Sequence, residues 1–191
     1  MKSPQTRATP WWARLRLLRD SEAAQLLEFA LVLPLLVVMV IGAVDFGAAW
    51  LLKDKLSNAA RDGARIAASQ LNDLNSGSNP PASVTAVRDA VANYLTNANV
   101  TTCAIDTNAS SAGTLAWQYA SSSAGCGNFL LKIERGYTFT GGGMTLTATR
   151  VTLNYPFNWN FGHVVKLLAP SSTYANSITI STNAVMENLT N

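Results

Sequence analysis

An uninterrupted apolar run of sixteen residues, 29–44, places the strongest constraint on how this chain can fold. The run carries no charge, and apart from Asp45 the apolar sequence continues to Leu52. As an α-helix, residues 29–44 would span roughly 24 Å and residues 29–52 about 36 Å. The hydrocarbon core of a bilayer, about 30 Å thick, lies between these lengths. The run therefore predicts a transmembrane helix with Asp45 near its far interface.

The net charge of +3 belongs to the N-terminal tail. Residues 1–23 contain five basic and two acidic side chains, whereas the rest of the chain contains nine of each kind. Because basic segments next to a membrane helix stay in the cytoplasm, we expect the N-terminus inside and the bulk of the chain outside. A basic tail of this kind gives no reason to propose nucleic-acid binding.

A cleaved secretory signal peptide is an alternative explanation of the same run, because small residues follow its apolar core. However, no proline occurs between Asp45 and Gln70, so the helical pattern continues past the run. Small residues recur there every four positions on two adjacent lines: Ala59, Gly63 and Ala67, and Ala60, Ala64 and Ala68. Such lines allow membrane helices to approach closely, or they form the packing face of a soluble helix. The sequence leaves both uses open.

Past residue 70 the composition changes. The turn-forming residues 71–81 predict a linker. Residues 82–97 predict a short amphipathic helix, with Val84, Val87, Val91, Tyr94 and Leu95 on one face. Alternating apolar and polar residues predict strands at 128–140, 144–157 and 176–189, and a weaker strand at 114–120.

These patterns predict an α+β fold. It comprises a long N-terminal transmembrane helix that continues beyond the membrane, a short second helix and an antiparallel sheet of three or four strands. We expect four segments: a basic tail at 1–23, the long helix at 24–70, the linker at 71–81 and an exported α+β domain at 82–191. The glycine-rich residues 140–144 predict a hairpin turn between two of the strands.

Two cysteines, Cys103 and Cys126, both lie in the exported part of the chain. In an oxidising compartment an even pair predicts one disulfide. A bond between them would close a loop of 24 residues, which the loop-entropy model equates with about 3 kcal/mol of stability. The alternative is two separate buried thiols.

The chain offers few residues for catalysis. His163 is its only histidine, and the sequence contains no CxxC, HExxH, GxGxxG or P-loop motif. We therefore predict that the protein is not an enzyme and has no catalytic residues, cofactor or metal site. A membrane-tethered enzyme using His163 is an alternative that loss of a measurable activity in His163→Ala would support.

Two stretches resemble the TadE-like family of pseudopilin-related proteins of the tight-adherence (Flp-type) pilus machinery. These are "AQLLEFALVLPLLVV" from residue 24 and "NAARDGARIAA" at 58–68. The resemblance covers about residues 22–68, and "VTLNYPFNW" and "ITISTNAVMEN" are more loosely similar to the closing strands of the family. It implies a single-pass inner-membrane protein with a periplasmic domain, processed by a prepilin peptidase and assembling with other pilin-like subunits.

The processing motif of the family has a Gly five residues before its Glu, and Ala23 stands at that place before Glu28. The small side chain of Ala23 is compatible with cleavage between Ala23 and Ala24. Cleavage would leave an α-amine on Ala24, one helical turn from Glu28, and this ammonium would offset the desolvation of the carboxylate. By resemblance to type IV pilin-like proteins, the amine could instead belong to a neighbouring subunit, and the charge pair would then act during assembly. Alternatively, Glu28 is an interfacial acid whose carboxylate reaches the headgroups and water.

Arg61 and Arg65 are four residues apart and therefore share a helix face. They form either a solvated stripe or, with Gly63 allowing close approach, a contact face for a partner helix.

An alternative for the function of the whole chain is also open. The chain could be a signal-anchored envelope protein whose exported domain binds a ligand or a cell-wall component without pilin-type processing.

Overall fold

The computed structural model describes residues 21–70, 74, 79–100, 103–162, 166 and 177–188, and the main elements of this part of the chain are a long helix, a shorter helix and five strands. The helices are α1 (Ser21–Ser69) and α2 (Ala82–Asn97). The strands are β1 (Ser110–Gly113), β2 (Ala116–Ala120), β3 (Leu130–Gly141), β4 (Met144–Asn158) and β5 (Ser177–Glu187). The chain forms two compact units, residues 1–44 and 45–191.

Both predicted helices are confirmed. Apart from Pro34, which lies inside the apolar run where proline is tolerated in membrane helices, α1 contains no proline. It ends at Ser69, just before the turn-forming residues. Helix α2 follows Pro81, whose carbonyl oxygen accepts a hydrogen bond from the Val84 amide at 3.0 Å.

The five strands form one antiparallel sheet in the order β1-β2-β3-β4-β5. This confirms the α+β class, with one strand more than the three or four expected. The additional strand is β1, whose four residues are too few to show an alternating pattern. The predicted turn joins β3 to β4, and Gly142 and Gly143 there have φ values of 60° and 82°. A two-residue hairpin loop with φ > 0 at both positions favours glycine.

The core of the second unit lies between the two helices and one face of the sheet. Helix α2 contributes Val84, Val87, Val91 and Leu95, all fully buried, whereas Tyr94 is half-buried. The sheet contributes Tyr119, Leu131, Ile133, Val151 and Leu153. Helix α1 contributes Leu56 and the small residues Ala59, Ala60, Ala64 and Ala67. The lines of small residues are therefore the packing face of the folded domain.

A buried arginine joins the sheet to both helices. Arg135 lies beside a β-bulge in β3 and is 1% exposed. Its Nη1 donates a hydrogen bond to Ser83 Oγ at 2.8 Å, and its Nη2 donates to the carbonyl oxygen of Gln70, one residue past α1. The guanidinium thus lies at the C-terminal end of α1, where the helix dipole favours a cation.

Candidate functional site

The first half of α1 exposes its apolar side chains. In the first unit no side chain from Ala24 to Val44 is buried, and Leu31, Leu35 and Val40 are each more than 60% exposed. One helix of the described residues, Ala24–Ser69, is long and apolar enough to cross a membrane by length and composition. An exposed apolar helix surface of this extent is typical of a segment that contacts a membrane or another apolar surface.

Glu28 lies at the beginning of this exposed apolar surface. Its side chain is exposed and lines a shallow hollow with Gln25, Phe29 and Val32. Ala24 is one helical turn earlier, about 6 Å along the axis. The side chain of Ala23 lies outside the described residues. The carboxylate is thus free of contacts that would bury it and is available to a charged group at the start of the helix.

Arg61, Gly63 and Arg65 do not share one helix face. Both arginines are exposed, whereas Gly63 is buried. Positions two apart on a helix are turned by about 200°, so Gly63 points away from the arginines. A Cβ atom on Gly63 would lie 2.8 Å from Val91 Cγ2. The close approach that Gly63 permits is therefore made to α2 within the domain, and any face for a partner is confined to Arg61 and Arg65.

Comparison with known proteins finds a match to the segment that contains Glu28 and the residues from Arg61 to Arg65. The model of the family described as "TadE-like protein" matches residues 23–65. Residues 23–65 are therefore similar to the TadE-like family. No curated protein and no solved structure matches the chain at a significant level. The similarity of residues 23–65 to this family and the candidate membrane helix together support a membrane protein related to the tight-adherence system, as the resemblance of the sequence predicts.

In the part of the chain after residue 65, the predicted disulfide is confirmed. Cys103 and Cys126 are bonded, with their Cα atoms 5.6 Å apart. The loop that the bond closes contains all of β1 and β2. The bond thus links the two ends of the segment that forms β1 and β2, the first two strands in the order of the sheet.

Asp45 makes contacts that the sequence did not reveal. The residue is 2% exposed, and its carboxylate accepts hydrogen bonds from Asn160 Nδ2 at 2.9 Å and from the Phe161 amide at 2.6 Å. These donors follow β4 by two and three residues. An acidic residue that interrupts an apolar run needs such partners, so the sequence signals that a contact exists but not which residues make it.

An apolar hollow lies close to Asp45 in the sequence and entirely within the second unit. Its lining comprises Phe46, Ala49, Trp50, Lys53, Trp159, Ile178 and Ile180. Phe46 and Trp50 are 68% and 69% exposed, and Ile178 is 41% exposed. We call these seven residues the apolar hollow. The sequence does not reveal it because its members come from α1, the residue after β4 and the beginning of β5.

Charged side chains cluster on the sheet face opposite the core. The Glu134 carboxylate accepts a hydrogen bond from Arg150 Nε at 2.6 Å and lies 3.0 Å from Lys132 Nζ. The Arg150 guanidinium also lies 4.2 Å from the ring centroid of Tyr137, within the range of a cation–π contact. The Arg150 hydrogen bond, assisted by Lys132, holds the pKa of Glu134 below its ordinary value.

The described residues contain no group of three or more His, Cys, Asp and Glu side chains that could hold a metal ion. His163, which the sequence singles out as the one histidine, lies outside the described residues. The Glu134 carboxylate belongs to the ion cluster, and the Asp45 carboxylate accepts two hydrogen bonds. Both carboxylates therefore have structural partners.

Proposed function

We propose that the chain is a TadE-like minor pseudopilin, a single-pass membrane protein that takes part in assembly of a tight-adherence type pilus or related envelope machinery. The observation that carries the proposal is Glu28, an exposed carboxylate at the start of an exposed apolar helix, inside the segment that matches the TadE-like family. A carboxylate at that place is costly in a bilayer unless a partner neutralises it.

In this proposal a prepilin peptidase cleaves between Ala23 and Ala24. Cleavage removes the five basic residues of the tail and leaves an α-amine on Ala24. Glu28 then lies in the first turn of the helix, where the helix dipole favours a negative charge. The amine of a neighbouring subunit offsets the desolvation of the carboxylate, so that the charge pair draws the subunits into register.

The basic tail supports an orientation with residues 1–23 in the cytoplasm and the domain in the periplasm. In this arrangement the inner membrane surrounds the first half of α1, and the exposed arginines Arg61 and Arg65 face other pilin-like subunits. No catalytic role, cofactor or nucleic-acid partner is part of the proposal.

A second candidate is a signal-anchored envelope protein whose domain binds a ligand or a cell-wall component. Ala23 favours it, because the processing motif of the family has Gly at that place. The mature N-terminus distinguishes the two. N-terminal sequencing of protein extracted from membranes should give Ala24 for the pseudopilin, whereas an intact Met1 would support the anchored protein.

Glu28→Gln tests the assembly step, with Glu187→Gln in exposed β5 as the matched control. The Gln side chain keeps the shape of Glu and removes its charge. We expect Glu28→Gln to insert with unchanged topology and to co-purify with less of its partner subunits, whereas Glu187→Gln assembles normally. Equal assembly by the parent and Glu28→Gln would leave Glu28 as an interfacial acid and remove the charge-pair mechanism.

A further inference from the structure

The apolar hollow lies where the chain leaves its uncharged run. Residue 44 ends that run, so Phe46 and Trp50 follow it along α1 by only about 3 Å and 9 Å. Both side chains are mainly exposed. Tryptophan is enriched at the two interfaces of a membrane, where its ring meets lipid and its N–H meets water.

The hydrogen bonds of Asp45 bring a second part of the domain close to the part of α1 that carries Phe46 and Trp50. Its carboxylate binds Asn160 and the Phe161 amide, so the residues after β4 are held beside the first turn of α1 that belongs to the second unit. Trp159 immediately precedes these two donors and lines the hollow. The residues after β4 thus contact α1 at Asp45, the residue that follows the uncharged run.

The beginning of β5 completes the lining. Ile178 pairs with Phe157 near the end of β4, and Ile178 and Ile180 form one wall of the hollow. Lys53 is its one charged lining residue, and Asp54 and Ser57, farther along α1, line a neighbouring hollow with Trp50 and Lys53. The lining therefore changes from apolar to charged with distance from the apolar run.

We propose that this end of the domain is seated in the membrane interface and that the apolar hollow takes up a phospholipid of the same bilayer. The lipid's glycerol and upper acyl region lies against Phe46, Trp50 and Ile178, and the Lys53 ammonium binds its phosphate. The apolar surface of the hollow continues in sequence from the exposed apolar surface of α1, which makes lipid the occupant favoured over a protein partner. The proposal requires the membrane span but not pilus assembly.

Ile178→Cys in the full-length protein provides the test. Because the two cysteines of the chain are bonded to each other, the new thiol is the one site for a nitroxide label. The protein is placed at one copy per nanodisc of phosphatidylethanolamine and phosphatidylglycerol. Collision rates of the label are then measured with oxygen, which partitions into lipid, and with a water-soluble nickel chelate.

Two further labels calibrate the measurement. Met144→Cys lies at the other end of β4, about 40 Å from the hollow at the rise of an extended strand, and is 67% exposed. Val40→Cys, 62% exposed, lies within the uncharged run of α1. Asn158→Cys repeats the test at the hollow's end of the sheet without removing an apolar side chain.

We expect the oxygen-to-nickel ratio at position 178 to be several-fold above the ratio at 144 and nearer to that at 40. A ratio at 178 equal to that at 144 would show a water-filled hollow and overturn the proposal. Protection at 178 from both reagents would also overturn it, because protein would then cover the hollow. If the label at 40 behaves like that at 144, the membrane span itself fails, and the proposed function fails with it.

Discussion

A Cβ atom on Gly63 would lie 2.8 Å from Cγ2 of Val91 and 3.4 Å from Cγ1 of Val87. Helices α1 and α2 therefore approach each other at a distance that leaves no room for a side chain at position 63. The position is buried, and Val151 of β4 lies 3.6 Å from the same point. Close contact at Gly63 belongs to the folding of the domain, which determines how substitutions there will act.

Gly63→Ala should lower the free energy of unfolding of the full-length protein in detergent micelles. The added methyl group must displace Val91, and overpacking of this kind costs about 1–3 kcal/mol, more than the roughly 0.5–1 kcal/mol that Ala gains over Gly inside a helix. Gly47→Ala is the matched control, because nothing lies within 4 Å of a Cβ there. Equal stability of the two variants would contradict the packing described at Gly63.

A double substitution isolates the contact. Val91→Ala on its own should destabilise the protein by leaving a cavity. In the Gly63→Ala background it should cost less, because the new methyl group occupies part of the vacated space. Additive free energies of unfolding for the two changes would show that Gly63 and Val91 are not in contact.

Periodicity was sufficient to predict both helices and four of the five strands of the sheet. The face of α2 that carries Val84, Val87 and Val91 is buried as its spacing indicates. Strand β1 was missed because "SSAG" has no apolar alternation. Alternation in β3 does place Arg135 on the same face as Leu131 and Ile133, which was a signal of its burial.

The site could be predicted only where its residues are local in sequence. Ala24 and Glu28 are recognisable because a single helix turn relates them. The hydrogen bonds of Asp45 are different, since their donors lie 115 and 116 residues away. Helical spacing places Gly63 away from Arg61 and Arg65, but it does not indicate which element packs against each face. Only the packing of α2 shows that Gly63 serves the core.

The disulfide provides the next test. Replacement of both Cys103 and Cys126 by Ala should lower the free energy of unfolding by about 3 kcal/mol, the loop-closure value for a loop of this length. Parent protein treated with a reductant should fall to a similar stability. Mass spectrometry of envelope protein alkylated without prior reduction should find neither thiol modified. Alkylation of both cysteines would contradict the bond.

Asp45→Asn should destabilise the domain by about 1–3 kcal/mol, because the amide nitrogen would face one of two hydrogen-bond donors and leave it unsatisfied. Hydrogen exchange should show the Phe161 amide exchanging faster in the variant than in the parent. Asp54→Asn, at an exposed position of the same helix, should change the free energy of unfolding by no more than about 0.5 kcal/mol. Similar effects of the two substitutions would show that the contacts of Asp45 contribute little.

The ion cluster of Glu134, Arg150 and Lys132, on the sheet face opposite the core, makes the free energy of unfolding depend on pH. Because Arg150 and Lys132 hold the pKa of Glu134 below its ordinary value, the unfolded state binds the proton more readily than the folded state. The stabilisation is therefore present above the ordinary glutamate pKa of about 4.3 and is lost as the pH falls through the lower pKa of the folded state.

Glu134→Gln should be less stable than the parent at pH 7, by about 1.5 kcal/mol if the hydrogen bond between Glu134 and Arg150 has the usual value for a charged pair. Thermal unfolding at pH 7 and at pH 3 measures this difference, which should shrink at the lower pH, whereas Glu187→Gln should stay within about 0.5 kcal/mol of the parent at pH 7. A gap between Glu134→Gln and the parent that is as large at pH 3 as at pH 7 would mean that the charge of Glu134 does not stabilise the sheet.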